Sequence, residues 1–191
     1  MKRVGLYFGS FNPIHIGHLI IANHFVEFTD LDELWFVVSP QNPLKKKQSL
    51  LDDTHRLAMV KIAIDDNPKF KASDIEFDMP QPSYTIDTLT YLTEEYADND
   101  FVLIMGEDNL QSIEKWKNYE LLLKNYSVYV YPRPNADGSK YFSQPRIKMI
   151  GAPKIEISAS FIRKAIKENK DVRYLLHPPV GRYIDEMNFY K

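Results

Sequence analysis

Two rhythms of apolar residues alternate along the chain. Short continuous runs at 4–8, 34–38, 100–105 and 127–131 have the length and the β-branched or aromatic content of buried strands. Between them, apolar residues recur at helical spacing. Leu19, Ile20, Ile21, Ala22, Phe25 and Val26 predict a helix over 17–28 with a wide buried face. Leu57, Met59, Val60, Ile62, Ala63 and Ile64 predict another, capped by Asp52 or Asp53. Ile86, Leu89, Leu92 and Tyr96 predict a helix over 85–96, and further helices are expected at 119–124, 158–168 and 180–187. Residues 69–78 and 148–157 each read as one or two short strands, and 133–145, rich in Pro, Asn and Gly, as a loop. Strand and helix alternate throughout. That predicts an α/β fold, a doubly wound, mainly parallel sheet with right-handed crossovers and helices on both faces. Ligands of such sheets bind beyond the carboxyl ends of the strands, where the connections change face. Polar loops follow Phe8, Val38 and Met105, so these loops are expected to share one site.

Composition narrows this picture. A length of 191 residues fits one domain over 1–191. The formal net charge is −2, too balanced for the basic field that duplex DNA or bulk RNA needs. The cysteine count is zero, which excludes disulfides, thiolate nucleophiles and Cys-based zinc sites. The opening MKRVG leads into a strand rather than a signal peptide, and no apolar stretch reaches the length of a membrane span. A cytoplasmic location is expected.

The loop after the first run reads GSFNPIHIGH, from Gly9 to His18. Gly9 allows a sharp turn and close backbone approach to a ligand, and Pro13 lacks an N–H. The helix expected from Ile16 or Gly17 points unpaired N–H groups and a partial positive charge into this loop. His15 and His18 would share a helical face beside it, an arrangement that suits a polyphosphate better than a metal. The plain alternative is one His capping the helix and the other packing. A second segment, ISASFIR at 157–163, offers Ser158 or Ser160 as a cap and Arg163 as a forked cation. Plain capping with a surface arginine explains it equally well. In a third, MGEDN at 105–109, Gly106 permits close approach and Asp108 could accept a ribose hydroxyl, while Trp116 offers a flat ring face. A capped helix with a half-buried tryptophan is the alternative. Lys45, Lys46 and Lys47 form a basic run that on its own reads as a solvated face.

The first segment resembles the G-x-F-x-P-x-H-x-G-H signature of the adenylyltransferases in the nucleotidyltransferase superfamily. Gly9, Phe11, Pro13, His15, Gly17 and His18 fill its fixed positions. Residues 157–163 resemble that family's I-S-S-T-x-I-R segment, with Ala159 in place of a Ser and Ser160 in place of a Thr. SYTIDT at 83–88, the Gly106–Asp108–Trp116 spacing, HRLAM at 55–59 and the tail at 175–184 narrow the resemblance to the nicotinate-nucleotide adenylyltransferases. That resemblance implies a Rossmann-like nucleotidyltransferase fold, with the helical part at about 158–191 completing an ATP site. It implies ATP contacts at Gly9, Ser10, Phe11, His15, His18, Gly106, Asp108, Ile157, Ser158, Ser160 and Arg163, with His15, His18 and Arg163 catalytic. It implies acceptor contacts at Tyr84, Thr85 and Trp116 and one phosphate contact from the lysine run, with Lys46 favoured.

The implied reaction moves the adenylyl group of ATP to nicotinate mononucleotide, releasing pyrophosphate and forming deamido-NAD. Mg²⁺ would travel with ATP on substrate oxygens, with no dedicated protein ligand. Nicotinamide mononucleotide or phosphopantetheine as acceptor stays open, as do a non-catalytic nucleotide-binding regulator and a homo-oligomer. The 133–145 loop is a candidate for mobility or a subunit contact.

Overall fold

The structure is a computed structural model and describes residues 1–40 and 50–191. Six strands form one sheet: β1 (Lys2–Gly9), β2 (Glu33–Val38), β3 (Phe70–Ser73), β4 (Asn99–Gly106), β5 (Ser127–Tyr131) and β6 (Ile147–Met149). Their order is β3-β2-β1-β4-β5-β6, and every neighbouring pair is parallel. This is the Rossmann-like, doubly wound sheet that the alternating pattern predicts. The strand order reverses beside β1, which pairs with β2 on one edge and β4 on the other.

Side-chain alternation along the strands builds two cores. Tyr7, Phe36, Val102, Ile104 and Tyr129 face one side, where α1 (Ile16–Phe28), α2 (Asp53–Ile64), α6 (Ala159–Lys167) and α7 (Pro178–Glu186) cover them with Phe25, Val60, Ile162 and Val180. Leu6, Trp35, Val37, Leu103 and Val130 face the other, against Leu89, Leu110 and Leu122 of α3 (Thr85–Glu95), α4 (Glu107–Gln111) and α5 (Tyr119–Asn125). All six residues of β2 are buried, as a strand covered on both faces requires.

The expected element boundaries hold closely in the long helices. Asp52 is the cap of α2 and accepts from the Thr54 N–H (2.9 Å). The two ambiguous segments each supply one strand. β3 pairs with β2 only as far as Ser73 opposite Val37, and the chain then enters a 3₁₀ turn at Ile75–Phe77. β6 pairs with β5 as far as Met149 opposite Val130, after which the chain runs without regular structure to α6. The 133–145 loop contains a 3₁₀ turn at Ser139–Tyr141 and packs on α4, with Gly138 N–H donating to Glu107 (3.2 Å).

One buried charge joins the loops at the carboxyl edge. Arg56 has no exposed surface. Its guanidinium donates to the carbonyls of Ser10 (2.6 Å), Ser39 (2.9 Å) and Leu51 (3.0 Å) and pairs with Asp53. The loops after β1 and β2 are therefore held by one planar donor. Each buried acceptor left unsatisfied costs roughly 1–3 kcal/mol. Arg56→Met should lower the unfolding free energy by about 3 kcal/mol or more, read from urea denaturation, and Arg56→Lys should recover only part of it.

Candidate active site

Where the strand order reverses, the loops after β1 and β4 part and a cleft of about 920 Å³ opens. The loop after β1 forms its floor. Asn12–Pro13 is a cis peptide bond, and Phe11 has φ 44°, the left-handed region that non-glycine residues rarely occupy. Packing holds it there: Phe11 is 2% exposed, and its ring meets those of Tyr7, Phe36 and His18 edge-on. No glycine among the described residues has a positive φ, so the turn expected at Gly9 is made by Phe11 instead. The glycine is required for space, since a Cβ on Gly9 would lie 2.8 Å from the Phe11 ring.

His15 is the N-cap of α1, with extended φ −142° and ψ 169°. The His15 backbone N–H donates to His18 Nδ1 (3.2 Å), and the two imidazoles stack with centroids 3.7 Å apart. Burial, with the Arg133 charge adding to it, lowers the His15 pKa to about 4. Burial, His15 and Arg133 push His18 in the same direction, well below its ordinary value. Both rings are thus neutral near pH 7. Because Nδ1 of His18 accepts, its proton resides on Nε2. Both rings line the cleft, and His15 Nδ1 is buried with no partner among the described residues. The pair therefore presents N–H donors and no fixed charge, ahead of the unpaired amides of α1.

The segment leading into α6 forms the opposite wall with Ile157, Ser158, Ser160 and Arg163. Ser158 caps α6 by accepting from the Phe161 N–H (3.2 Å), so its hydroxyl is engaged, and the first amides of the helix stay free of a side-chain cap. Arg163 crosses to the first loop, where Nη1 donates to the Asn12 carbonyl (2.8 Å), and Nη2 lies 3.4 Å from Ser160 Oγ. Gly9, Ser10, Phe11 and Asp108 also line the cleft. Gly106 ends β4 and does not itself line the cleft; a Cβ there would run into the Asp108 carboxylate, which does.

Tyr84, Thr85 and Trp116 line the far end. Tyr84 is the N-cap of α3, and no side chain among the described residues caps the first N–H groups of that helix. Ser83 Oγ and Trp116 Nε1 are buried there without partners among the described residues. Lys46, with Asn42 and Pro43, lies outside the described residues.

The sequence reading missed three cations on the cleft wall, Arg133, Lys115 and Lys117. Arg133 lies 3.7 Å from Asp108 and donates to the Ile155 carbonyl (3.2 Å). It follows the carboxyl end of β5, so the strand-end rule applied to the loops after Phe8, Val38 and Met105 would have found it. Lys117 pairs with Asp87 (2.7 Å) and sits over the Tyr84 ring. Among the described residues, no group of three or more His, Cys, Asp or Glu is placed to hold a metal ion, and no helix is long and apolar enough to cross a membrane.

Known proteins resemble this chain over most of its length. A model of the cytidylyltransferase-like family matches residues 6–165. A Flavobacterium johnsoniae protein, named a probable nicotinate-nucleotide adenylyltransferase, is 56% identical over 191 residues, covering 99% of each chain. A Bacteroides thetaiotaomicron protein of the same name is 45% identical over 184 residues, covering 96% of this chain and 91% of its own. The solved nicotinic acid mononucleotide adenylyltransferase of Plasmodium falciparum, complexed with NaAD, superposes with a TM-score of 0.85 at 25% identity, covering 100% of this chain and 98% of that one.

The depressed histidines carry a pH dependence. His15 falls from an ordinary 6.5 to about 4 on folding. Between those values the unfolded chain binds more protons than the folded one, so stability is fully present above about pH 6.5 and is lost as pH falls toward 4. The His15 contribution to that loss is about 3 kcal/mol. Urea midpoints should fall between pH 7.5 and pH 5, with a shallower fall in His15→Gln.

Proposed function

The chain belongs to the cytidylyltransferase-like family and, within it, to the nicotinate-nucleotide adenylyltransferases, and we propose that its cleft is where ATP and nicotinate mononucleotide are brought in line. The enzyme transfers the adenylyl group of ATP to the phosphate of nicotinate mononucleotide, giving deamido-NAD and pyrophosphate in NAD synthesis. One observation carries the site assignment. The amides ahead of α1, the amides ahead of α6 and the aromatic end at Trp116 open into the same cleft. Two anion sites and a ring platform are what a triphosphate and a pyridine nucleotide need.

A phosphate oxygen of the acceptor attacks the α-phosphorus of ATP. The new P–O bond forms as the bond to the bridging oxygen of the β-phosphate breaks, and pyrophosphate leaves with that electron pair. The second pKa of a phosphate monoester is about 6, so the nucleophile is already ionised and needs no strong base. The protein's task is to place two anions in line and offset their repulsion. His18, through Nε2–H, and His15 donate to the transferring phosphate. They begin neutral, and an arriving polyphosphate favours their protonated forms. Ser158, Ser160, the α6 amides and Arg163 hold the outgoing pyrophosphate. Gly9, Ser10 and Phe11 bring backbone to the nucleotide, and Asp108 meets the ribose. Ile157 closes the wall beside the nucleotide, and the acceptor phosphate is assigned to one lysine of 45–47, with Lys46 favoured. Carried on the ATP substrate, Mg²⁺ would supply charge neutralisation at the phosphate oxygens; the N–H groups and guanidinium of the cleft would hold the remaining oxygens.

At the far end Trp116 stacks on the pyridine ring while the N-terminal amides of α3 at Tyr84 and Thr85 face its substituent. Donors there favour a carboxylate over a carboxamide, which supports the acid as acceptor. Within the same proposal, 158–191 completes the ATP site of one domain, the reaction is cytoplasmic, and no nucleic acid takes part.

Pyrophosphate release with Mg²⁺ and ATP should be fastest with nicotinate mononucleotide, against nicotinamide mononucleotide and phosphopantetheine. Equal rates with the amide would overturn the reading of the α3 amides. Loss of one transition-state donor costs roughly 10²–10³ in rate. His18→Ala should lose kcat on that scale with an unchanged circular dichroism spectrum, and a near-normal rate would remove His18 from catalysis. Trp116→Ala should raise KM for the acceptor and leave KM for ATP in place.

A further inference from the structure

Asn12 and Tyr190 lie 178 positions apart, and neither lines the cleft. Their side chains meet: the Tyr190 hydroxyl donates to Asn12 Oδ1 (2.8 Å). Asn12 is 1% exposed and precedes Pro13 in the loop that leads to His15. Its backbone carbonyl is the acceptor that holds Arg163 Nη1. The Leu51 N–H approaches the same Oδ1 at 3.4 Å, so the tyrosine makes the shorter bond.

The tail that carries Tyr190 is built to bring the ring there. After α7 the chain turns back through Phe189 N–H to the Ile184 carbonyl (3.0 Å). Asn188 and Tyr190 both adopt positive φ, 54° and 67°. Such backbone at non-glycine residues persists where surrounding contacts hold it. Phe189 packs on His55 and Tyr183, and Tyr183 shares a hydrogen bond with His55 (2.9 Å). Burial keeps the Tyr190 hydroxyl protonated, with Arg163 and Arg56 opposing that shift, so it remains a donor within the field of both guanidiniums.

We propose that Tyr190 is a positioning residue for the nucleotide half of the reaction. By fixing the Asn12 side chain it sets the turn whose carbonyl orients Arg163 and whose backbone delivers His15. The proposal rests on reading the cleft as the ATP site.

Tyr190→Phe removes the hydroxyl and keeps the ring packing. ATP binding, measured by calorimetry without acceptor, should weaken about three- to tenfold, the scale of one hydrogen bond. KM for ATP should rise in parallel, with KM for nicotinate mononucleotide nearly unchanged and the urea midpoint lowered by no more than the loss of one hydrogen bond. In an Asn12→Ala background the same substitution should add nothing further. ATP affinity within twofold of the unaltered protein, an equal rise in both KM values, or a lower urea midpoint with ATP affinity unchanged would each overturn the proposal; Tyr190→Phe decides alone if Asn12→Ala fails to fold. If the unaltered protein did not bind ATP, the reading of the cleft would fall, and this proposal with it.

Discussion

Between β1 and β4 the connections part. The chain leaving β1 crosses one face of the sheet through α1, and the chain leaving β4 crosses the other through α4 and α5. No helix can roof the gap, because each crossover is drawn away from it by its own apolar face. The crevice left behind is the consequence of burying two cores with parallel strands. Gly9, His15, Tyr84, Asp108 and Ser158 then arrive in the cleft from a carboxyl strand edge or a helix N-terminus, where backbone N–H groups lack intrahelical partners.

Charge in this cleft is arranged for a guest. Arg133 and Asp108 lie close enough to screen one another, and Lys117 is paired with Asp87. The stacked imidazoles are kept neutral by burial first and by the Arg133 charge after it. A site of this kind carries little net repulsion when empty. A polyanion arriving there would meet N–H donors whose proton affinity it raises.

The first loop is supported from behind by Arg56 and Tyr190, which do not line the cleft. Arg56 gathers carbonyls from the loops after β1 and β2. Asn12 receives Arg163 on its backbone and Tyr190 on its side chain. These contacts hold a segment with one left-handed Phe11 in place, at the cost of burying a full guanidinium. Fixed donors make less reorganisation during phosphoryl transfer, which is where such rigidity acts.

The apolar runs and helical spacings were enough to specify the alternating elements and the parallel sheet, because periodicity is local and each element's buried face is written in its own residues. The loop after β1 was legible as a candidate site for the same reason: Pro13, His15 and His18 are neighbours in the chain. Other features needed the folded molecule. The strands expected across 69–78 and 148–157 stop where their partners β2 and β5 run out, and a partner's length is a property of the sheet. The neutrality of His15 and His18 follows from burial and from Arg133, which lies more than a hundred positions away. The full burial of Arg56 depends on the loops after β1 and β2, whose carbonyls it gathers. The meeting of Tyr190 with Asn12 depends on α7 docking on α2, a contact between helices that no local pattern encodes.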